Sequence, residues 1–159
     1  MTRRAIVACG LLLACVPLAT HGEAPAIVVG GAYVPAAPPR AGVAAAYFDL
    51  RNDGAQVAEI VGAKGACAPT IGIHRTIERG GIARMLPVSS LSVGPGETLR
   101  FEEGGLHVML HGFDLQSGDT CSFSLQLASG AAVPILAPVR ARQALSKAPH
   151  IHSSQGVAP

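Results

Sequence analysis

The sequence predicts an all-β protein, an antiparallel β-sandwich or barrel in a single domain. Three observations lead to that class. Apolar and polar residues alternate over short runs, as where Ala46, Phe48 and Leu50 are set against Tyr47, Asp49 and Arg51, and a period of two belongs to a strand with one buried face. Gly 19 and Pro 12 punctuate those runs and leave little room for long helices. The 159 residues, once an export segment is subtracted, suffice to close one core and require no second domain.

The export segment comes first. Arg3 and Arg4 precede an uncharged, largely apolar run from Ala5 to Val16, the length of a signal-peptide core and too short to span a bilayer. Residues 1–22 therefore read as a signal peptide. Two processing routes fit it. Leu12-Leu13-Ala14-Cys15 resembles a bacterial lipobox, in which Cys15 would be lipidated and tether the protein to a membrane; cleavage near Thr20 to Gly22 would instead release a soluble periplasmic protein. Residues 26–140 then form the folded domain, and residues 141–159 a flexible, polar tail.

Within the domain, Ile27-Val28-Val29 and Ala32-Tyr33-Val34 form a first strand interrupted at Gly30-Gly31 and ended by Pro35, Pro38 and Pro39. Residues 43–52 form the second, closed by the turn residues Asn52-Asp53-Gly54. The third covers residues 57–63. The fourth covers 70–77, with Ile71, Ile73 and Ile77 on one parity and His74 on the other. Met85 falls in a short stretch before Pro87 that reads as loop or strand edge. After the turn Gly94-Pro95-Gly96, strands follow at 97–101, 106–110, 120–127 and 132–139, eight in all.

Composition narrows the function. Charged residues are 14% and the net charge is +2, so nothing points to nucleic acid. Trp is absent and aromatics are 4%, so Val, Leu, Ile and Ala must fill the interior. No nucleophile elbow, phosphate loop or His-Glu-x-x-His zinc helix occurs, and Asp49, Asp53, Asp114 and Asp119 lie in or near turns, so an enzyme is not expected. Cys9 leaves with the leader and Cys15 is removed or lipidated. Cys67 and Cys121 remain, and two thiols in an oxidising compartment are most simply a disulfide. Closing a loop of about 54 residues would stabilise the fold by roughly 4 kcal/mol on the chain-entropy estimate. The alternative, a metal or redox pair, lacks Cys-x-x-Cys spacing.

The chemistry concentrates in Gly-Gly-Leu-His-Val-Met-Leu-His-Gly, residues 104–112. Leu106, Val108 and Leu110 take one face of a strand and His107, Met109 and His111 the other. His107 and Met109 would lie roughly 6 to 7 Å apart, a natural pair for chelating one ion. A lone His-x-Met is more often a packed Met beside a solvated His. The wider series alters that balance. His74 is followed after ten residues by Met85, then after twenty-one by His107, then after one by Met109, and apart from Met1 these are the only methionines. Two thioethers with two imidazoles favour Cu(I) over Zn(II), and no thiolate completes a blue-copper set.

The spacing resembles the His-x10-Met-x21-His-x-Met signature of the PCu(A)C periplasmic copper chaperones. The likeness extends to Ala44-Ala45-Ala46-Tyr47-Phe48-Asp49-Leu50-Arg51-Asn52, Gly81-Ile82-Ala83-Arg84-Met85, Pro95-Gly96-Glu97 and Gly104-Gly105-Leu106-His107-Val108-Met109-Leu110. It implies a cupredoxin-like Greek-key sandwich, acting as a monomer. His74, Met85, His107 and Met109 would hold Cu(I) and pass it to a copper-accepting domain of cytochrome c oxidase or to another copper assembly factor. His111 stands where the pattern has an apolar residue and is a candidate secondary ligand. His150 and His152 in the tail are candidates for a weak Cu(II) site. Two other functions fit the same residues: copper sequestration for resistance, and a non-catalytic exported interaction domain whose His and Met only decorate a surface.

Overall fold

The computed structural model describes residues 26–38 and 40–142. The leader with Cys15 and the tail with His150 and His152 lie outside the described residues. Ten strands run through the described chain: β1 (Ile27–Pro35), β2 (Val43–Asn52), β3 (Ala58–Gly65), β4 (Thr70–Arg79), β5 (Ile82–Pro87), β6 (Leu91–Val93), β7 (Thr98–Phe101), β8 (Leu106–His111), β9 (Thr120–Leu127) and β10 (Ala132–Arg140). No helix occurs among the described residues.

The strands form one continuous sheet in the order β5-β4-β8-β7-β2-β1-β10-β9-β3-β6. Its two halves face each other across a shared core, as the rings of Phe48 on β2 and Phe123 on β9, 6.1 Å apart, make plain. The all-β sandwich expected from the alternation is thus the observed class. Pairing is antiparallel except at two junctions. β1 runs parallel to β10 at Val34↔Val139 and Pro35↔Arg140, which carries the sheet from one half to the other. β7 and β8 meet in parallel at Phe101↔Leu106.

β2 organises the half that carries the chemistry. Its N-terminal part, Val43 to Ala46, pairs with β8, and its C-terminal part, Phe48 to Arg51, pairs with β7. Ala46, Phe48, Leu50 and Asn52 point inward in strict alternation. Phe48 stacks on Phe101 with ring centres 4.2 Å apart. Asn52 is fully buried, yet its amide nitrogen donates to the Gln56 and Val93 carbonyls and its oxygen accepts from the Gly54 N–H. A turn residue by sequence, it is a polar latch joining the β2–β3 turn to β6, and its donors and acceptor are satisfied as burial demands.

Cys67, in the β3–β4 loop, forms a disulfide with Cys121 of β9, with Cα atoms 5.1 Å apart. The expected pairing is present. It ties the strand pair bearing His74 to the opposite half of the sandwich.

Two strands exceed the eight expected. β6 has only three residues, paired with β3. β5 pairs with β4 along its whole length, from Arg79↔Ile82 to His74↔Pro87, so Met85 sits on an edge strand. The hairpin turns at Gly80 and Gly81, both with positive φ, 60° and 76°, as a two-residue type I′ connection requires. All six residues of β5 are exposed, so no inward face imposes alternation on its sequence.

Candidate metal centre

Register decides which side chains share a face. β4 pairs with β8 at His74↔His107, Gly72↔Met109 and Thr70↔His111, and with β5 at Thr76↔Met85. Alternate residues of a strand share a face, so His74, Thr76, Met85, His107, Met109 and His111 all belong to one side of the β5-β4-β8 strip. The other side carries Ile73, Leu106, Val108 and Leu110, all buried in the core.

The two imidazoles are held differently. His107, 2% exposed, is far from the solvated ring that an outward parity implies. Its Nδ1 lies 3.2 Å from the Gly105 carbonyl. A carbonyl can only accept, so Nδ1 carries the proton and Nε2 presents its lone pair. Among the described residues that Nε2 is buried without a hydrogen-bond partner, and so is Nδ1 of His74. Burial lowers the His107 pKa below the ordinary histidine value; the Gly105 hydrogen bond opposes this and the nearby His74 reinforces it. The ring is therefore kept neutral, which is the metal-binding form.

The His74 and His107 rings lie 6.0 Å apart and nearly parallel, with 20° between planes. With metal–nitrogen bonds of about 2 Å, one ion between two such rings is sterically reasonable. Unpartnered buried nitrogens cost free energy unless something occupies them. Among the described residues no three His, Cys, Asp or Glu side chains group as a metal site. The thioethers of Met85 and Met109 are further candidate donors on this face. Met109 is half-buried across from Gly72, whereas Met85 is 56% exposed on the edge strand.

His111 shares the face but ends β8 exposed, its ring 6.4 Å from that of His74 and steeply inclined to it. Two further contributors are invisible to ligand spacing. A Cβ on Gly72 would sit 3.3 Å from Cε1 of His74, so the glycine leaves the space that ring occupies. The Gly105 carbonyl sets the tautomer of His107. Gly72 has the parity of His74, two residues before it, which was the available signal; a backbone carbonyl leaves none. A cleft of about 660 Å³, lined by residues 36–38, 40–42 and 112–117, includes none of the four candidate ligands.

Residues 27–139 match the family model described as "Putative lipoprotein LpqE-like". The curated protein "Putative lipoprotein Lxx21020" from Leifsonia xyli subsp. xyli is 32% identical over 121 residues, covering 74% of this chain and 72% of that one. Among solved structures, CuI-DR1885 from Deinococcus radiodurans matches with a TM-score of 0.59 and 31% identity, covering 77% of this chain and 83% of that chain. The copper-bound PCuAC domain from PmoF2 matches with a TM-score of 0.60, covering 76% of this chain and 98% of that chain; at 19% identity it bears on the fold alone.

Proposed function

The chain belongs to the LpqE-like family, and from that premise we propose that it is an exported Cu(I) carrier that binds one ion through His74, Met85, His107 and Met109. The observation that carries this reading is the pair of buried, unpartnered imidazole nitrogens, His74 Nδ1 and His107 Nε2, on the face that also bears both methionines. Two neutral nitrogens and two soft, neutral sulfurs suit Cu(I). They also form a more exchangeable site than thiolates would, which suits transfer better than storage. The copper named for CuI-DR1885 supports the same ion here.

The finer parts of the proposal rest on the resemblance and the leader. Delivery is to copper sites of cytochrome c oxidase, or to an assembly factor serving them. The copper-binding domain covers residues 26–140, behind a signal peptide of residues 1–22. The lipoprotein description of the relatives favours Cys15 lipidation over release of the mature protein into the periplasm. Residues 141–159, with His150 and His152, would add a weak Cu(II) site, and His111 a secondary ligand.

The test is a competition titration of the full-length mature protein with a Cu(I) chelator. One equivalent of Cu(I) should be retained by the parent. The Met85→Ala/Met109→Ala variant should lose most of that affinity, and retention at the parent's level would refute the ligand set.

A further inference from the structure

The β4–β5 hairpin reaches past the sandwich as an arm. β5 packs substantially only on β4, and its outer edge pairs with no strand among the described residues. Its two faces differ. One holds the candidate ligands. The other carries Arg75, Ile77 and Arg79 of β4 against Leu86, Arg84 and Ile82 of β5, a checkerboard in which each register pair sets an arginine beside an aliphatic side chain. Leu86 and Ile82 are exposed, as are all three arginines. No ion pair engages those arginines among the described residues. The hairpin's one acid, Glu78, lies on the opposite face, across from Ala83. Glu102, in the neighbouring β7–β8 turn, has its side chain folded against Gly105.

Three arginines against one glutamate give this hairpin a surplus equal to the +2 of the whole chain. Resting on the Cu(I)-carrier reading, we infer that this arginine–aliphatic face of the arm is the docking surface for an acidic acceptor protein, one presenting carboxylates beside the soft donors that receive copper. Charge argues for that occupant over others. Residues 143–159 contain Lys147 and no acidic side chain, and residues 1–25 contain Arg3 and Arg4 against Glu23 alone, so no segment of this chain complements the patch. A second copy would set arginines against arginines. An acidic partner gains arginine–carboxylate pairing together with burial of Ile82 and Leu86.

Docking here places the partner on the face opposite the Met85 side chain, and its soft donors reach Met85 around the outer edge of β5, unpaired among the described residues. The transfer is ligand exchange: the bond from Cu(I) to the Met85 sulfur breaks as a bond to an acceptor thioether forms, copper stays Cu(I), and no electron or proton moves. Met85 is the most exposed of the four donors, so it is the one an incoming sulfur reaches first.

The probes are two synthetic peptides sharing one methionine-rich Cu(I)-binding core, one flanked by glutamates and the other by lysines. Transfer from the copper-loaded protein to the glutamate peptide should be about tenfold faster at low salt, and the advantage should collapse at high salt. Arg75→Gln/Arg79→Gln/Arg84→Gln should abolish the preference while chelator titration shows unchanged Cu(I) affinity. A control of equal charge change on other elements, Lys64→Gln/Arg100→Gln/Arg142→Gln, should keep it. Absence of preference in the parent, or equal loss in both triple variants, overturns the proposal. So does arginine-dependent binding to phosphatidylglycerol vesicles without discrimination between the peptides, which would assign the patch to a membrane. If the parent retains no Cu(I), the carrier reading fails by itself. Binding of the same peptides to the copper-free protein, followed by NMR, then decides the docking surface independently.

Discussion

His107 and Met85 belong to one candidate site yet sit at opposite extremes of the fold. His107 lies on β8, between β4 and β2, and is 2% exposed with its tautomer set by a backbone carbonyl. Met85 lies on an edge strand with every residue exposed. The difference separates two demands on a carrier. Imidazoles held in fixed positions by neighbouring strands fix where the ion sits at little ordering cost on binding. A thioether at the margin leaves a bond that an incoming ligand can replace. A site buried at both ends would hold its ion without an exit, and one exposed at both ends would lack preorganisation.

The largest expected effect tests whether the two regions differ in stability as they do in burial. Leu110→Ala removes a fully buried side chain next to Met109 on β8 and should cost about 2–5 kcal/mol. Leu86→Ala, on the arm, should stay within about 0.5 kcal/mol. Urea denaturation of both variants checks the contrast, and comparable losses would mean that the arm is integrated with the core.

The two regions also differed in how much the sequence disclosed. Wherever a strand had one buried and one outward face, alternation revealed it, as in β2 and β8, and the all-β class followed. β5 has no buried face, so its run Ile82-Ala83-Arg84-Met85-Leu86-Pro87 carries no period. Its legible signal was Gly80-Gly81, a two-residue hairpin turn between Arg79 and Ile82. β6 is too short to show a pattern. For the candidate site, parity was enough to set His107, Met109 and His111 on one side of one strand; the alignment of His74 and Met85 with them depends on register across β4. Burial of His107 was not legible, because parity gives the direction of a side chain and not what its neighbours cover. The Cys67–Cys121 pairing could be reached by counting thiols, since compartment and number left one partner for each.

A middle-sized effect sharpens the comparison at the junction of its two halves. Gly72 faces Met109, and any Cβ placed there would press on the His74 ring. Gly72→Ala should therefore displace that imidazole and weaken Cu(I) binding about tenfold, equivalent to about 1.4 kcal/mol, while the denaturation midpoint changes little. The expected signature is altered affinity with unaltered stability. Lost stability with intact affinity would show that the glycine serves packing of the sheet and not the position of the ring.

The smallest effect concerns protons at the buried end, in the copper-free protein. Burial lowers the folded-state pKa of His107 below the ordinary value of 6.5, the Gly105 hydrogen bond opposes it and His74 lowers it further. In the unfolded chain this histidine takes up its proton near pH 6.5. Between that value and the lowered folded one, the unfolded state binds more protons, so stability rises with pH in this window. The contribution is complete above about pH 6.5 and is lost progressively as pH falls through the folded pKa. His107→Gln removes the titration but leaves every other group in place. Its stability deficit relative to the parent should therefore narrow on acidification from about pH 7.5 to about pH 5, because only the parent loses the histidine's contribution. Urea denaturation of both proteins at the two pH values gives the difference directly. A deficit that stays constant or widens would mean that His107 is no harder to protonate in the folded protein than in the unfolded chain.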